Sequence, residues 1–338
     1  GRFGPTLTAP GTTINSSAPV LAKCPGNPSA LCTDNSFNAA SGTSFSSPIV
    51  TGLFALLMES RPNLSINDYR MILSGSAQNM SGHPFEKGAG LINITAALSF
   101  TSRVSINGAE NTGIDAYPGG YVEANVTIYN LNNSARTYSF GVESITDLEG
   151  DHAIATSNVE MPTVVTLTAG SNRSYIVRFY VPIGQSPSIY GTTIMIRSDL
   201  GENYRLPVAL TVPIFGLGAV IGTVNNQQTA TTAGVTILYK IIPVNGTTMT
   251  VNLTFMGSSN DLDLYVFTEG GVRVALSGAA AGLNETTNIT PVNEKAYWLM
   301  VIGYALSAQT NYTLKVTYGG NLSVTPASLQ ASVMNDTP

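Results

Sequence analysis

The spacing of apolar and polar residues changes near residue 100, and the part before it has mostly helical spacing. An apolar run at residues 49–58 predicts a helix over residues 44–60, which ends before Pro62 because the residue preceding proline is pushed out of the helical conformation. This helix is apolar on nearly all sides, so we expect it to be buried. Ser65 and Asp68 have capping-box spacing and predict a second helix that ends near residue 75. Residues 91–99 predict a last short helix.

After residue 100 apolar residues alternate with polar ones, which is the period of a half-buried strand. The alternating runs are residues 121–129, 174–181, 192–197, 204–212, 235–240, 248–255, 262–268, 297–303 and 312–318. Turn residues separate these runs at the spacing of a β-sandwich. The pattern therefore predicts a multidomain chain, with a mixed α/β part at residues 1–99, all-β domains at 100–213 and 214–320, and a tail at 321–338.

The composition excludes several classes of protein. Charged residues make up 10% of the chain and hydrophobic residues 43%, which argues against a disordered, solvated chain. The net charge of −5 and the sequence pI near 5.0 provide no basic surface for nucleic acid. No run of about 18 apolar residues is present, so we expect no membrane span.

Sequons for asparagine glycosylation are spread over the whole chain and indicate its compartment. The fourteen Asn-x-Ser/Thr sites are Asn15, Asn63, Asn79, Asn93, Asn125, Asn132, Asn172, Asn245, Asn252, Asn284, Asn288, Asn311, Asn321 and Asn335. We expect several to be unoccupied, Asn93 above all because it adjoins a predicted buried helix. The sequons favour a secreted, extracellular or cell-surface glycoprotein. Together with the low charge they suit a harsh exterior, such as the surface of a thermophilic or acidophilic microbe.

A candidate nucleophile lies just before the long apolar run. Ser44 falls at the start of the predicted helix, where the first-turn N–H groups have no partner inside the helix and the dipole favours negative charge. The Ser44 N–H can therefore help to hold the oxyanion that forms when its hydroxyl attacks a carbonyl. Gly42 and Thr43 precede it, and Gly42 leaves room for a substrate near the backbone. Pro48 is expected early in the helix, where a missing N–H costs little. An ordinary serine N-cap is the alternative interpretation of Ser44.

Residues 42–48 read Gly-Thr-Ser-Phe-Ser-Ser-Pro and resemble the catalytic-serine motif of the subtilisin-like serine peptidases (subtilases). Upstream, Gly4-Pro5 and residues 9–14 look like the subtilase segment that leads toward the serine. Downstream, residues 88–93 look like the segment that opens the last helix of the catalytic domain. The resemblance implies that residues 1–99 are the C-terminal part of an α/β subtilisin-like domain. It also implies a serine endopeptidase that acts on proteins or peptides and needs no cofactor for its chemistry.

The other catalytic groups of a subtilase are missing from the matching positions. In that family the aspartate, the histidine and the oxyanion asparagine all precede the serine, whereas here the 43 preceding residues contain one aspartate, Asp34, and no histidine. His83 is interpreted as a surface loop residue and His152 as a β-domain loop residue. We expect the chain to be the C-terminal piece of a longer precursor. Its N-terminal segment would be a tight partner that supplies the missing groups and covers the apolar helix.

The two cysteines, Cys24 and Cys32, bracket a turn-rich loop. In an oxidising compartment they are expected to form one disulfide, worth about 2–3 kcal/mol. A free thiol pair and half of a metal site are the alternatives.

The two β domains resemble modules that are appended to secreted peptidases. Residues 100–213 are similar to immunoglobulin- or fibronectin-like sandwiches, and residues 214–320 look like the jelly-roll-like C-terminal domain of bacterial and archaeal peptidases. Asp261 and Asp263 alternate with leucines and would share one face of a strand, where a structural calcium ion or only solvent would contact them. Independent binding of glycans or proteins by these domains is also open, although the one tryptophan, Trp298, is interpreted as a core residue.

Two functions remain compatible with the sequence. The first is the C-terminal chain of a secreted or cell-surface endopeptidase with Ser44 as its nucleophile. The second is a catalytically silent, protease-like glycoprotein that forms part of a cell-surface layer or filament, with the components of that layer as partners. The intact 42–48 motif favours the enzyme.

Overall fold

The computed structural model describes residues 4–17, 23–24, 27–31, 37–224, 236–292, 295–306 and 309–319, and every structural statement below concerns these residues. Its α-helices are α1 (Thr43–Ser60), α2 (Ile66–Gly75), α3 (Pro84–Lys87) and α4 (Ile94–Ser99). The Cys24–Cys32 disulfide and the tail at 321–338, with Asn321 and Asn335, lie outside the described residues and stay predictions.

Strands make up most of the structure after residue 100, as the alternating pattern predicts. In chain order they are β1 (Ile14–Ser17), β2 (Lys23–Cys24), β3 (Asn27–Leu31), β4 (Phe37–Ala40), β5 (Ser102–Ile106), β6 (Thr112–Asp115), β7 (Tyr121–Asn130), β8 (Arg136–Val142), β9 (Ile145–Thr146), β10 (Ala153–Ile154), β11 (Val159–Glu160), β12 (Val164–Leu167), β13 (Asn172–Tyr180), β14 (Ser188–Ser198), β15 (Asn203–Val212), β16 (Ile214–Phe215), β17 (Gly218–Val224), β18 (Thr236–Ile242), β19 (Met249–Phe255), β20 (Asp261–Thr268), β21 (Arg273–Ser277), β22 (Glu285–Ile289), β23 (Tyr297–Ala305) and β24 (Thr310–Tyr318).

α2 is the best-packed helix of the first hundred residues. The predicted capping box is present, since Ser65 Oγ accepts a hydrogen bond from Asp68 N at 3.2 Å and Asp68 Oδ2 accepts one from Ser65 N at 3.0 Å. The apolar face of α2 packs against α1 and α4 in a small core that consists of Leu57, Tyr69, Ile72, Leu73 and Ala97. This core fixes the position of α1 from one side.

α1 forms over almost the predicted residues, and the described part of the chain buries only a small part of it, while the expected cover from an upstream segment stays a prediction. Only Leu57 of α1 is buried, while Leu56 is 49% and Met58 44% exposed. The described residues cover one side of the helix alone, because α2 and α4 both lie on that side. α1 thus presents an apolar face that has no cover within the described residues.

The last short helix begins later than the sequence pattern predicts. α4 starts at Ile94 instead of residue 91, because Leu91 pairs with Thr8 and with Gln78 in isolated β-bridges. Asn93 then caps the helix by accepting a hydrogen bond from Ala96 N at 3.0 Å. The amide side chain of Asn93 is therefore engaged in the helix start.

Two sheets pack face to face in the middle of the chain. One has the order β11-β13-β7-β5, and the other runs β10-β9-β14-β15-β6, with β8 paired to β14 and β12 paired to β8. β14 and β15 form the longest hairpin, and β6 joins β15 in parallel. The inward residues of both sheets, such as Val126, Val177, Ile194 and Leu206, form one apolar core.

A second pair of sheets follows from Ile214 onward. One sheet has the order β16-β18-β23-β20-β21 and the other β17-β24-β19-β22. Their shared core contains Leu253, Leu264, Val301 and Leu314. Both pairs of sheets are β-sandwiches, whereas the immunoglobulin-like and jelly-roll-like assignments and the exact domain boundaries stay predictions.

We call the part with α1 to α4 the helical part and the sandwich of β5 to β15 the middle sandwich. The helical part is docked on the middle sandwich through buried polar contacts. Arg205 of β15 donates from Nε to Ala89 O at 2.8 Å and from Nη2 to Glu143 Oε1 at 2.7 Å. Lys87 Nζ lies 4.0 Å from Glu143 Oε2. Arg70 of α2 pairs with Glu110. The segment that follows α3 is therefore anchored to the sheet by a buried arginine.

Candidate active site

Ser44 lies in the first turn of α1, exposed at the surface of the molecule. The helix is preceded by Gly42, whose φ of +154° is a conformation that residues with a side chain rarely adopt. Gly42 makes no side-chain cap, but its carbonyl accepts a hydrogen bond from Phe45 N at 3.0 Å. The hydroxyl of Ser44 is thus presented at a helix N-terminus, where backbone N–H groups and the dipole favour a developing oxyanion.

The segments with subtilase resemblance meet around this turn. Gly42 N donates to Gly11 O at 2.7 Å, and Ser46 Oγ donates to Ala9 O at 3.1 Å. Residues 9–11 therefore lie directly beside residues 42–46, which we call the serine turn. Residues 88–93 run along the same segment, since Thr8 N donates to Gly90 O and Ile92 N donates to Thr8 O, both at 2.8 Å. Backbone contacts therefore join the three motifs that are far apart in sequence.

Pro48 lies early in α1, as predicted, but beyond the first turn. It is the sixth residue of α1, whereas a proline without cost would be the first. In this position its missing N–H would have bonded to the carbonyl of Ser44, so the regular bond between residues 44 and 48 is absent.

Neither histidine forms a hydrogen bond with Ser44 within the described ranges. His83 Nε2 lies 3.0 Å from Thr146 O of the middle sandwich, and His152 Nδ1 lies 2.7 Å from Asp147 Oδ2. The interpretation of His83 as a surface loop residue is wrong. Its ring caps α3 by accepting from Phe85 N at 3.3 Å, and the side chain is half-buried against the sandwich.

Burial changes the titration of the groups at this contact between the helical part and the middle sandwich. It lowers the pKa of His83, and the hydrogen bond to the Thr146 carbonyl offsets this only in part. Burial also lowers the pKa of Lys87, against the attraction of Glu143. His83 is thus neutral at neutral pH. Its cap of α3 and its hydrogen bond to Thr146 explain its position without a catalytic role.

Asp261 and Asp263 lie on the outer face of β20, as the alternation predicts, with Leu262 and Leu264 fully buried on the other face. Burial raises the pKa of Asp263, and the nearby charges of Asp261 and Glu285 raise it further. No group of three or more His, Cys, Asp or Glu side chains in the described part of the chain is arranged to hold a metal ion. A calcium site here stays a prediction.

The sequon asparagines are mostly accessible. Those with exposed side chains are Asn15, Asn63, Asn79, Asn125, Asn172, Asn245, Asn284, Asn288 and Asn311. Asn93, Asn132 and Asn252 are half-buried. None of the helices described is long and apolar enough to cross a bilayer.

A serine presented at a helix N-terminus and framed by two backbone segments is an arrangement used by serine hydrolases. Residues 1–90 match the model of the Subtilase family. A segment of 63 residues is 43% identical to subtilisin DY from Bacillus licheniformis, which covers 19% of this chain and 23% of that protein. The first ninety residues are therefore subtilase-like.

A solved structure extends the likeness beyond the first ninety residues. The fold is similar to that of tripeptidyl peptidase 2 (TPP II), with a TM-score of 0.52 and 15% identity over 83% of this chain and 27% of that one. The chain thus spans about a quarter of each of these relatives. At this identity the second likeness concerns the fold alone.

Proposed function

We propose that this chain is the C-terminal part of a secreted or cell-surface subtilisin-like serine endopeptidase. The observation that carries the proposal is the position of Ser44. It lies in the first turn of α1, beside Gly42, in a segment that matches the Subtilase family. The Ser44 hydroxyl attacks the peptide carbonyl, and its own N–H contributes to the oxyanion hole. The substrates are proteins or peptides.

The general base and its orienting carboxylate come from another segment of the same precursor in this proposal. Both histidines of this chain are engaged elsewhere, with Thr146 and with Asp147. The uncovered apolar face of α1 supports the same idea, and a groove of about 530 Å³ between Leu7 and Phe54 gives such a segment a place to pack. The proposed chemistry needs no cofactor, and the exposed sequons support the exterior location.

Active-site labelling of the native material with a fluorophosphonate probe, followed by peptide mass spectrometry, tests the assignment. We expect the label on Ser44, its complete loss in Ser44→Ala and its retention in Ser60→Ala, a matched change of an exposed serine at the other end of the same helix. An absence of label in material that also contains the segment with the other catalytic groups would contradict the enzyme. It would support the silent, structural glycoprotein instead.

A further inference from the structure

A cleft of about 740 Å³ lies between the two β-sandwiches. One wall belongs to the middle sandwich and consists of β6, parts of β14 and β15, and the loop between β9 and β10. The other wall is β18 of the following sandwich, with Trp298 of β23 and Glu269. A volume of this size accommodates a short stretch of polypeptide or a drug-sized molecule. We name this feature the inter-sandwich cleft.

Polar contacts hold the two walls together. Lys240 Nζ in β18 donates to Asp115 Oδ2 of the middle sandwich at 2.6 Å. In addition, Thr223 of β17 donates from both its N–H and its Oγ1 to Asp151 Oδ2 of the middle sandwich, each at 2.8 Å. The cleft is therefore built into the structure before any ligand arrives, which reduces the cost of ordering it on binding.

The inner surface of the cleft is largely apolar. Its apolar side chains include Ile114, Leu148, Ile189, Ile237 and Leu238. Leu148 is 36% and Leu238 37% exposed, so apolar surface from both walls remains in contact with water. A concave apolar surface rimmed by polar groups is typical of a binding site.

The rim of the cleft is strongly acidic. Its carboxylates are Asp115, Glu149, Asp151 and Glu269, against a single lysine, Lys240; Asp147 also lines the cleft but is buried and paired with His152. The Lys240 side chain is only 7% exposed and also contacts Glu269 at 2.8 Å. Burial opposes its charge, but the hydrogen bonds to Asp115 and Glu269 raise the pKa of Lys240 overall. Lys240 is thus paired with Asp115 and Glu269, and carboxylates outnumber cations among the residues that line the cleft.

We propose that the inter-sandwich cleft binds an extended polypeptide segment in which lysine or arginine residues alternate with apolar ones. The apolar side chains would contact Leu148, Ile237 and Leu238, and the cations would reach the rim carboxylates. An anionic or purely apolar segment would desolvate or repel those carboxylates without compensation. The proposal is independent of catalysis at Ser44, because none of the residues of the serine turn lines the cleft.

Fluorescence anisotropy with the intact chain tests this binding. The probe is a labelled peptide of alternating lysine and valine, compared with one in which glutamate replaces lysine and one in which serine replaces valine. We expect saturable binding of the lysine–valine peptide, weakened by added salt, and much weaker binding of the other two. Equal binding of the lysine–serine peptide would overturn the proposal, since it would indicate charge attraction alone. No saturable binding of the lysine–valine peptide would overturn it as well.

Variants locate the binding in the cleft. Leu148→Arg adds bulk and positive charge inside it, and we expect about tenfold weaker binding or more, equivalent to about 1.4 kcal/mol. Leu131→Arg is the matched control, because Leu131 is 45% exposed and lies outside the cleft. Glu149→Lys changes only the rim and is paired with Glu59→Lys on the exposed side of α1. Equal effects within both pairs would refute the proposal.

Discussion

The backbone around Ser44 is set by residues that have no side chain. A Cβ at Gly11 would overlap Ser46 Oγ and lie 2.9 Å from Gly42 O, and Gly42 itself has a φ of +154°. Two glycines therefore allow residues 9–11 and the serine turn to approach each other closely. The hydroxyl of Ser44 owes its position to this close approach and not to a side-chain cap.

A single carboxylate on β20 gives a pH-dependent prediction. Because the folded-state pKa of Asp263 is raised above 3.8, the folded protein holds this proton more tightly than the unfolded chain. The associated stabilisation is present at low pH and is lost as the pH rises through the folded-state pKa. Asp263→Asn should thus stabilise the protein at pH 7, by a small amount because solvent screens a partly exposed group, and have less effect near pH 4. Thermal unfolding at both pH values measures this.

The control is Glu59→Gln, which neutralises an exposed carboxylate of α1. Calcium separates the two interpretations of the Asp261–Asp263 face. If calcium binds there, added calcium raises the melting temperature of the parent chain, and Asp263→Asn loses that gain. A melting temperature that does not respond to calcium, together with a stabilised Asp263→Asn, leaves a solvated acidic face.

Arg205 is a central residue of the contact between the helical part and the middle sandwich, which His83 and Lys87 also join. Arg205 of β15 is 5% exposed and holds both the Ala89 carbonyl and the Glu143 carboxylate. Arg205→Ala should cost about 3 kcal/mol, because it leaves Glu143 half-paired beside Lys87. Chemical denaturation measures the loss, and Arg197→Ala, an exposed arginine of β14, is the control. If the two alanine variants unfold at the same denaturant concentration, the anchoring role of Arg205 is wrong.

The sequence predicts those elements whose pattern is local. The α2 capping box and the alternating strand β20 need only their neighbours in sequence, and both form as predicted. α3 was missed, because its four residues give no periodicity and its N-cap, His83, is a residue seldom used there. The short strands β9 and β16 were missed for the same reason. Their pairing is decided by distant partners, β14 and β18.

The sequence predicts the candidate nucleophile, but not the residues that contact its turn. The 42–48 motif indicates Ser44 and its helix. The role of Gly11 as a contact of the serine turn depends on a fold between residues far apart in sequence. The same applies to His83, whose position against Thr146 is set by the docking of two separate parts of the chain.

At the scale of the whole molecule, the middle sandwich is the part that holds the others. It receives the helical part through Arg205 and the following sandwich through Asp115 and Asp151. All three residues act through buried or bridging polar contacts, which fix orientation more than they add stability. The inter-sandwich cleft and the serine turn are therefore carried by one scaffold.

Two adjacent leucines of α1 test whether another segment completes this molecule. Leu57 is fully buried and Leu56 is 49% exposed, so in this chain alone Leu57→Ala should cost about 2–5 kcal/mol and Leu56→Ala less than about 0.5 kcal/mol. If a precursor segment covers the outer face of α1, Leu56→Ala will also weaken the native material, where it should lower both the melting temperature and the fluorophosphonate labelling of Ser44. Denaturation of the chain alone and of the native material gives the comparison. If Leu56→Ala changes neither the stability of the chain alone nor that of the native material, nothing packs on that face. The segment with the remaining catalytic groups would then have to approach Ser44 from a different side.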